Sequence, residues 1–300
     1  MAIKTVRAQI NGTWHTLTLN TSTGKYEKTI TAPSITSYNQ DGHYYNVTVE
    51  ATNDAGTSTS VSGTTMQTLR LQVREKIKPV ITITSPSSGA YVTNNKQTVI
   101  FTITDEVNGS GVNLSTVVVK LDNTAVLAAQ ITNTAITNGY RFTYTPATAL
   151  ADGSHTVTVN ASDHDGNAAV QKSTTFKVDT VAPVLNVTAP VNNLITNKAS
   201  LTVAGTTNDV TSSPVTVKIT LNGADQGAVT VGTGGAFSKQ ITLAEGSNTI
   251  VITATDSAGK ATSVTRTVKL DTSVPKIKSA TITPNPVDAG ATMVISVVIE

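Results

Sequence analysis

The sequence predicts an all-β chain built from small β-sandwiches in tandem, and three observations carry that prediction. A strand-and-turn segment is written three times: Tyr45-Asn-Val-Thr-Val-Glu-Ala-Thr-Asn-Asp-Ala-Gly56, Thr156-Val-Thr-Val-Asn-Ala-Ser-Asp-His-Asp-Gly166 and Thr249-Ile-Val-Ile-Thr-Ala-Thr-Asp-Ser-Ala-Gly259. Apolar residues alternate with polar ones in each copy and run into an Asx residue and a glycine, the pattern of a half-buried strand entering a tight turn. Threonine makes up roughly a fifth of the chain and valine is abundant, which suits pleated surfaces. No window sustains apolar residues at i, i+3, i+4 and i+7, so amphipathic helices are not expected.

The units follow in order. Residues 1–77 form the first, ending in Arg70-Leu-Gln-Val-Arg-Glu-Lys-Ile-Lys78, where Leu71, Val73 and Ile77 fall at even spacing and predict a last strand with a charged outer face. Residues 78–181 open on Lys78-Pro-Val-Ile-Thr-Ile-Thr-Ser-Pro86, and residues 182–273 open on the matching Ala182-Pro-Val-Leu-Asn-Val-Thr-Ala-Pro190. Each opening is followed by a second echo, Val92-Thr-Asn94 or Ile195-Thr-Asn197. Prolines at Val178-Asp-Thr-Val-Ala-Pro183 and Leu270-Asp-Thr-Ser-Val-Pro275 mark seams, because proline cannot donate to a central ladder. Residues 274–300 read as two strands of a partial fourth repeat, or as docking strands.

The strand ending in Ala-x-Asp-x-x-Gly, followed by a final strand running into Asp-Thr-x-x-Pro, resembles the immunoglobulin-like repeats of bacteria and bacteriophages, carried in tandem on surface adhesins and on virion proteins. That resemblance covers residues from about 42 to 300. It implies tandem immunoglobulin-like β-sandwiches in an elongated array, of about 35 to 40 Å per module if they are joined end to end. The chain departs from antibody domains in having no cysteine, and Trp14 lies too early to be their buried core tryptophan.

Charge and chemistry narrow the function classes. A net charge of +2 is too small and too spread for nucleic-acid capture. No apolar run is long enough for membrane insertion or for the core of an export signal, which favours a virion component assembled in host cytoplasm over an extracellular or cell-surface protein. The four histidines, His15, His43, His155 and His164, fall in turn-like or strand-edge contexts and in no nucleophile or zinc motif, so no catalytic residue is assigned. Asp163-His-Asp-Gly166, with Asp105-Glu106 and Asp179, offers oxygen ligands of the kind calcium takes, with Asp163, Asp165 and Asp179 the candidates. The competing reading is that Asp163 and Asp256, like Asn53, cap the turn before the glycine; the second carboxylate does not recur in one place, which favours caps.

Aromatics concentrate in Trp14, Tyr26, Tyr38, Tyr44 and Tyr45, mostly as expected core. Tyr45 shares the inward parity of Val47 and Val49. Trp14 is out of parity with Leu17 and Leu19 and is the candidate for partner contact, a host-surface glycan among the options. Met293, Ile295, Val297 and Ile299 lie in the apolar run of the tail and are the candidates for pairing with another chain's sheet. The expectation is a structural and binding component of a phage virion, tail-associated or decorating, whose partners are other virion proteins and further copies of itself. The stalk of a bacterial adhesin is the rival, and an accessory module of a sugar-processing enzyme a distant third.

Overall fold

The computed structural model describes residues 2–300, and the chain divides into two compact units, one up to Thr180 and one from Val181 onward. Short 3-10 turns are the only helical elements among the described residues.

The first unit opens with a five-stranded antiparallel sheet in the order Lys25–Glu27, Thr13–Asn20, Ile3–Ile10, Thr48–Asn53, Ser58–Ser62. The Asn11-Gly12 hairpin has positive φ at both positions, 46° and 77°, a turn whose twist matches the flanking strands. A two-stranded pair, Tyr45–Asn46 with Arg70–Leu71, accompanies the sheet. Among the described residues of this stretch, the only buried hydrophobic ones are Ala8 and Tyr45. The expectation that most of its aromatics fill the core is therefore corrected. Tyr26, Tyr38 and Tyr44 are half-buried: Tyr26 lies on the short edge strand, while Tyr38 and Tyr44 lie outside the sheet, in or beside 3-10 turns, Tyr38 against the rings of His43 and His164 and Tyr44 under the Arg70 guanidinium. The expected last strand over Arg70–Lys78 is also corrected. Only Arg70–Leu71 pairs as a strand; beyond it Val73 accepts from the Ser37 N–H, and the following residues meet the next module instead.

The remainder of this unit is a filled sandwich. One sheet runs Ile131–Ile136, Gly139–Tyr144, Val99–Thr104, Val80–Ser85. The facing sheet runs Thr124–Ala125, Val112–Leu121, Gly153–Asp163, Lys172–Val178, Tyr91–Val92, the last pair parallel. Strict alternation sends Val99, Phe101 and Ile103 inward from one sheet, and Val157, Val159, Phe176 and Val178 from the other, all with no exposed surface. Phe101 stacks on Phe142 with ring centroids 4.8 Å apart. Burying each of these side chains contributes about 1.5–3 kcal/mol.

The second unit repeats the plan. Strands Val184–Ala189, Ser200–Asn208 and Ala236–Thr242 face Leu194–Thr196, Ala261–Leu270, Gly246–Thr255, Thr216–Leu221 and Ala224–Asp225. The echo at Ile195 corresponds to the one at Val92: both strands pair parallel to the closing strand of their sandwich. Val203, Ile219, Ile250, Ile252 and Val268 form the dry centre. Strands Ile277–Thr283 and Val294–Ile299 then make an isolated antiparallel ribbon in which every residue is exposed.

Candidate metal centre

The three written turns share one geometry. Asn53, Asp163 and Asp256 each accept, through a side-chain oxygen, the backbone N–H four residues on, at Thr57 (2.9 Å), Asn167 (2.8 Å) and Lys260 (2.9 Å). Each also donates its own N–H to the carbonyl of that same residue. These residues are turn caps, and the local hydrogen bonds explain why an Asx residue stands there.

The second turn does more than cap, because it faces the segment entering from the first module. Asp165 Oδ2 accepts from Thr36 Oγ1 at 2.6 Å and from the Glu75 N–H at 3.0 Å. Asn167 Nδ2 donates to Asp163 Oδ2 at 2.8 Å and to the Glu75 carbonyl at 3.2 Å. Ser110 Oγ donates to Glu75 Oε1 at 3.2 Å and accepts from the Asp165 N–H at 3.0 Å. Asn39 Nδ2 donates to the carbonyls of Asn108 and Gly109. The Tyr38 ring stacks on His43 and His164, with centroids 4.2 and 4.3 Å away.

Within this joint Glu75, Asp105 and Glu106 each place a carboxylate oxygen within 4.8 Å of the others. The 105–111 loop sets two of them: the Gly111 N–H donates to Asp105 Oδ2 at 2.7 Å, and the pair packs onto bare backbone at Gly109. A Cβ at Gly109 would lie 2.7 Å from both Asp105 Oδ2 and the Glu106 carboxyl carbon. Asp105 is 8% exposed, and its Oδ1 accepts no hydrogen bond, nor does the enclosed Glu106 Oε2. No lysine, arginine or histidine forms an ion pair with Glu75, Asp105, Glu106, Asp163 or Asp165 among the described residues. Burial, and then the neighbouring Asp105 carboxyl, push Glu106 up to about 7; burial and the Asp163 carboxyl push Glu75 up as well. An open groove of about 590 Å³, lined in part by Tyr38, Asn39, Tyr140 and His164, gives solvent access to Asp105 and Glu106.

The sequence-predicted residues are distributed differently from the expectation. Asp163 and Asp165 reach the joint, but Asp179 does not. It follows Val178, which pairs with Gly153 at the far end of the strand that Asp163 terminates, so antiparallel pairing puts Asp179 and Asp163 at opposite ends of one sandwich. The three therefore cannot share an ion. Glu75 was not anticipated; its signal was a lone acid within a basic run, read as a strand's outer face. His155 is corrected from an edge position to a site only 8% exposed, between Asp122 Oδ2 (2.7 Å) and the Ala151 carbonyl (2.8 Å).

Trp14 lies on a strand of the N-terminal sheet, 37% exposed, with the Arg7 guanidinium 4.2 Å from its ring centre. Met293, Ile295, Val297 and Ile299 are 50%, 62%, 49% and 63% exposed, in or beside the terminal ribbon.

The filled sandwiches with their capped turns define a class: tandem immunoglobulin-like domains. Residues 79–159 match the model of a bacterial Ig domain, and residues 183–272 match that of glucodextranase domain B. No curated protein matches the chain. Among solved structures it is similar to the fibronectin(III)-like modules of Clostridium thermocellum CbhA, at 19% identity over 63% of this chain and 93% of that one, with a TM-score of 0.40. It is also similar to sidekick-1 immunoglobulin domains 1–4, at 12% identity over 90% and 68% with a TM-score of 0.37. A third is a bacterial ice-binding adhesin, at 20% identity over 89% and 86% with a TM-score of 0.32.

Proposed function

We propose that this chain is a non-enzymatic structural and binding component of a phage virion, tail-associated or decorating, that displays immunoglobulin-like domains for weak multivalent attachment to a host surface. The single observation that carries the structural half of this reading is the joint. Side chains of the first module and of the 105–111 and 163–167 turns are committed to holding neighbouring modules in register, which is what a spacer requires. Multivalency supplies the binding half, since several weak contacts per particle sum to stable attachment. The terminal ribbon, apolar on strands with unpaired edges, suits completion of another chain's sheet and would fix the arm to the particle through Met293, Ile295, Val297 and Ile299. Trp14 offers a rigid aromatic surface for a glycan or protein partner.

The match of residues 79–159 to a bacterial Ig domain favours a second reading, the stalk of a cell-surface adhesin. Mass spectrometry of purified particles from a strain carrying the gene separates the two. The virion reading expects the chain at constant stoichiometry in particles and its loss on deletion of residues 276–300. Recovery only from the cell surface contradicts it.

A further inference from the structure

We infer that the joint between the first two modules is a calcium site, in which Glu75, Asp105 and Glu106 supply carboxylate oxygens to one Ca²⁺ held between the 72–77 segment and the 105–111 loop. The spacing fits. Oxygens sharing one calcium at about 2.3–2.6 Å lie at most about 5 Å apart, and these three carboxylates approach one another within 4.8 Å.

A group of acids would not by itself require an ion; here two further observations do. Asp105 is nine-tenths buried, and its Oδ1 faces no donor, while Glu106 Oε2 is enclosed and equally without one. Buried carboxylate oxygens left unpaired cost about 1–3 kcal/mol or more each, so such a pair stands either protonated or against a cation. No lysine, arginine or histidine pairs with these acids among the described residues, although Asp163 and Asp165 bring two further carboxylates to the same joint.

The donor set selects the ion. All three ligands are hard oxygens, with no sulfur or imidazole among them, which suits calcium or magnesium and disfavours zinc and copper. Calcium accepts irregular geometry and several carboxylates at once, whereas magnesium demands a near-ideal octahedron and keeps its waters. Carboxylates drawn from two separate segments, one pinned through Gly111 and the other through Ser110, match the more permissive ion. Bound there, calcium converts like-charge crowding into a cross-link between the modules, and the groove beside Glu106 is its way in.

Calorimetric titration of the full chain, stripped with chelator, with calcium chloride tests this. The unmodified protein should bind calcium with a dissociation constant in the range of about 10⁻⁴–10⁻³ M, and magnesium at least tenfold more weakly. The Glu75→Gln/Glu106→Gln double variant should lose one bound ion per chain while keeping its far-ultraviolet circular dichroism. Equal calcium binding by the double variant, or no binding by the unmodified chain at millimolar calcium, overturns the site. Should the double variant fail to fold, calcium titration of the isotope-labelled unmodified chain decides by nuclear magnetic resonance. Amide shifts at Gly109, Ser110 and Gly111 support the site, and unmoved amides there refute it.

Discussion

Asp165 and Thr36 meet across the joint of the first two modules: the Thr36 hydroxyl donates to Asp165 Oδ2 at 2.6 Å, although the residues stand 129 positions apart in sequence. The same oxygen accepts the Glu75 N–H, so one carboxylate ties the connecting segment to the first module and to the second sandwich at once. Asp165→Ala strands the part-buried Glu75 N–H, while the Thr36 hydroxyl keeps the Val73 carbonyl as an acceptor at 3.2 Å, and should destabilise the first unit by about 1–3 kcal/mol. Asp54→Ala, in the exposed first copy of the turn, should stay within about 0.5 kcal/mol. Denaturant unfolding of both variants gives the comparison; equal effects would deny the joint its role.

The acids of the joint set a pH dependence. Glu106 keeps its proton to about 7 against an ordinary value of 4.5, so the folded state holds a proton that the unfolded chain has released. Stability therefore falls as pH rises from about 4.5 to about 7 in the presence of chelator. Glu106→Gln should flatten that fall, and thermal melts across this window report it. A variant with an unchanged slope would remove Glu106 as the source.

His155 contributes in a neighbouring window by a different route. Burial disfavours its imidazolium, but the Ala151 carbonyl and the Asp122 carboxylate outweigh burial and raise it above 6.5. The stability it supplies is complete below 6.5 and is lost as pH climbs through the raised folded-state value. Asp122→Asn should lower the His155 titration midpoint, read from its ring proton shifts, and should also cost the 2.8 Å acceptor contact to the Thr156 N–H if the amide turns its nitrogen there. An unmoved midpoint would mean that Asp122 does not support the charge.

Packing separates the core from the candidate contact surface. Phe101→Ala opens a cavity beside Phe142 in a fully buried centre and should cost about 3–5 kcal/mol. Trp14→Ala removes a partly exposed ring and its Arg7 contact, for about 0.5–1 kcal/mol. A Trp14 effect as large as that of Phe101 would mark it as core rather than contact surface.

The sandwiches were legible because their signals are local. Alternation in Val99–Thr104 and Gly153–Asp163 states which side chains face inward, and the Asx residue before each repeated glycine states the turn. The parallel strands at Val92 and Ile195 are visible in the sequence as an echo, although nothing local states their pairing. The joint was only half legible. Asp105-Glu106 and Asp163 stood out as acids, but Glu75 lies in a run whose even apolar spacing imitates a strand, and its partners are 35 to 92 residues away. Asp179 misled for the converse reason: it is close in sequence to Asp163, and antiparallel pairing carries it to the other end of the sandwich. The partial burial of Tyr38 and Tyr44 was hidden because both lie in or beside 3-10 turns, where strand parity says nothing and their contacts, to His164 and Arg70, are distant in sequence.

The central claim is that the first two modules are held in one fixed arrangement by the joint, and double electron–electron resonance on the full chain tests it most directly. The absence of native cysteine lets spin labels be placed at Thr16→Cys and Thr134→Cys alone, both exposed and one in each module. The account predicts a single narrow distance distribution that broadens in Asp165→Ala. A broad distribution in the otherwise unmodified chain, unchanged by that substitution, would contradict it.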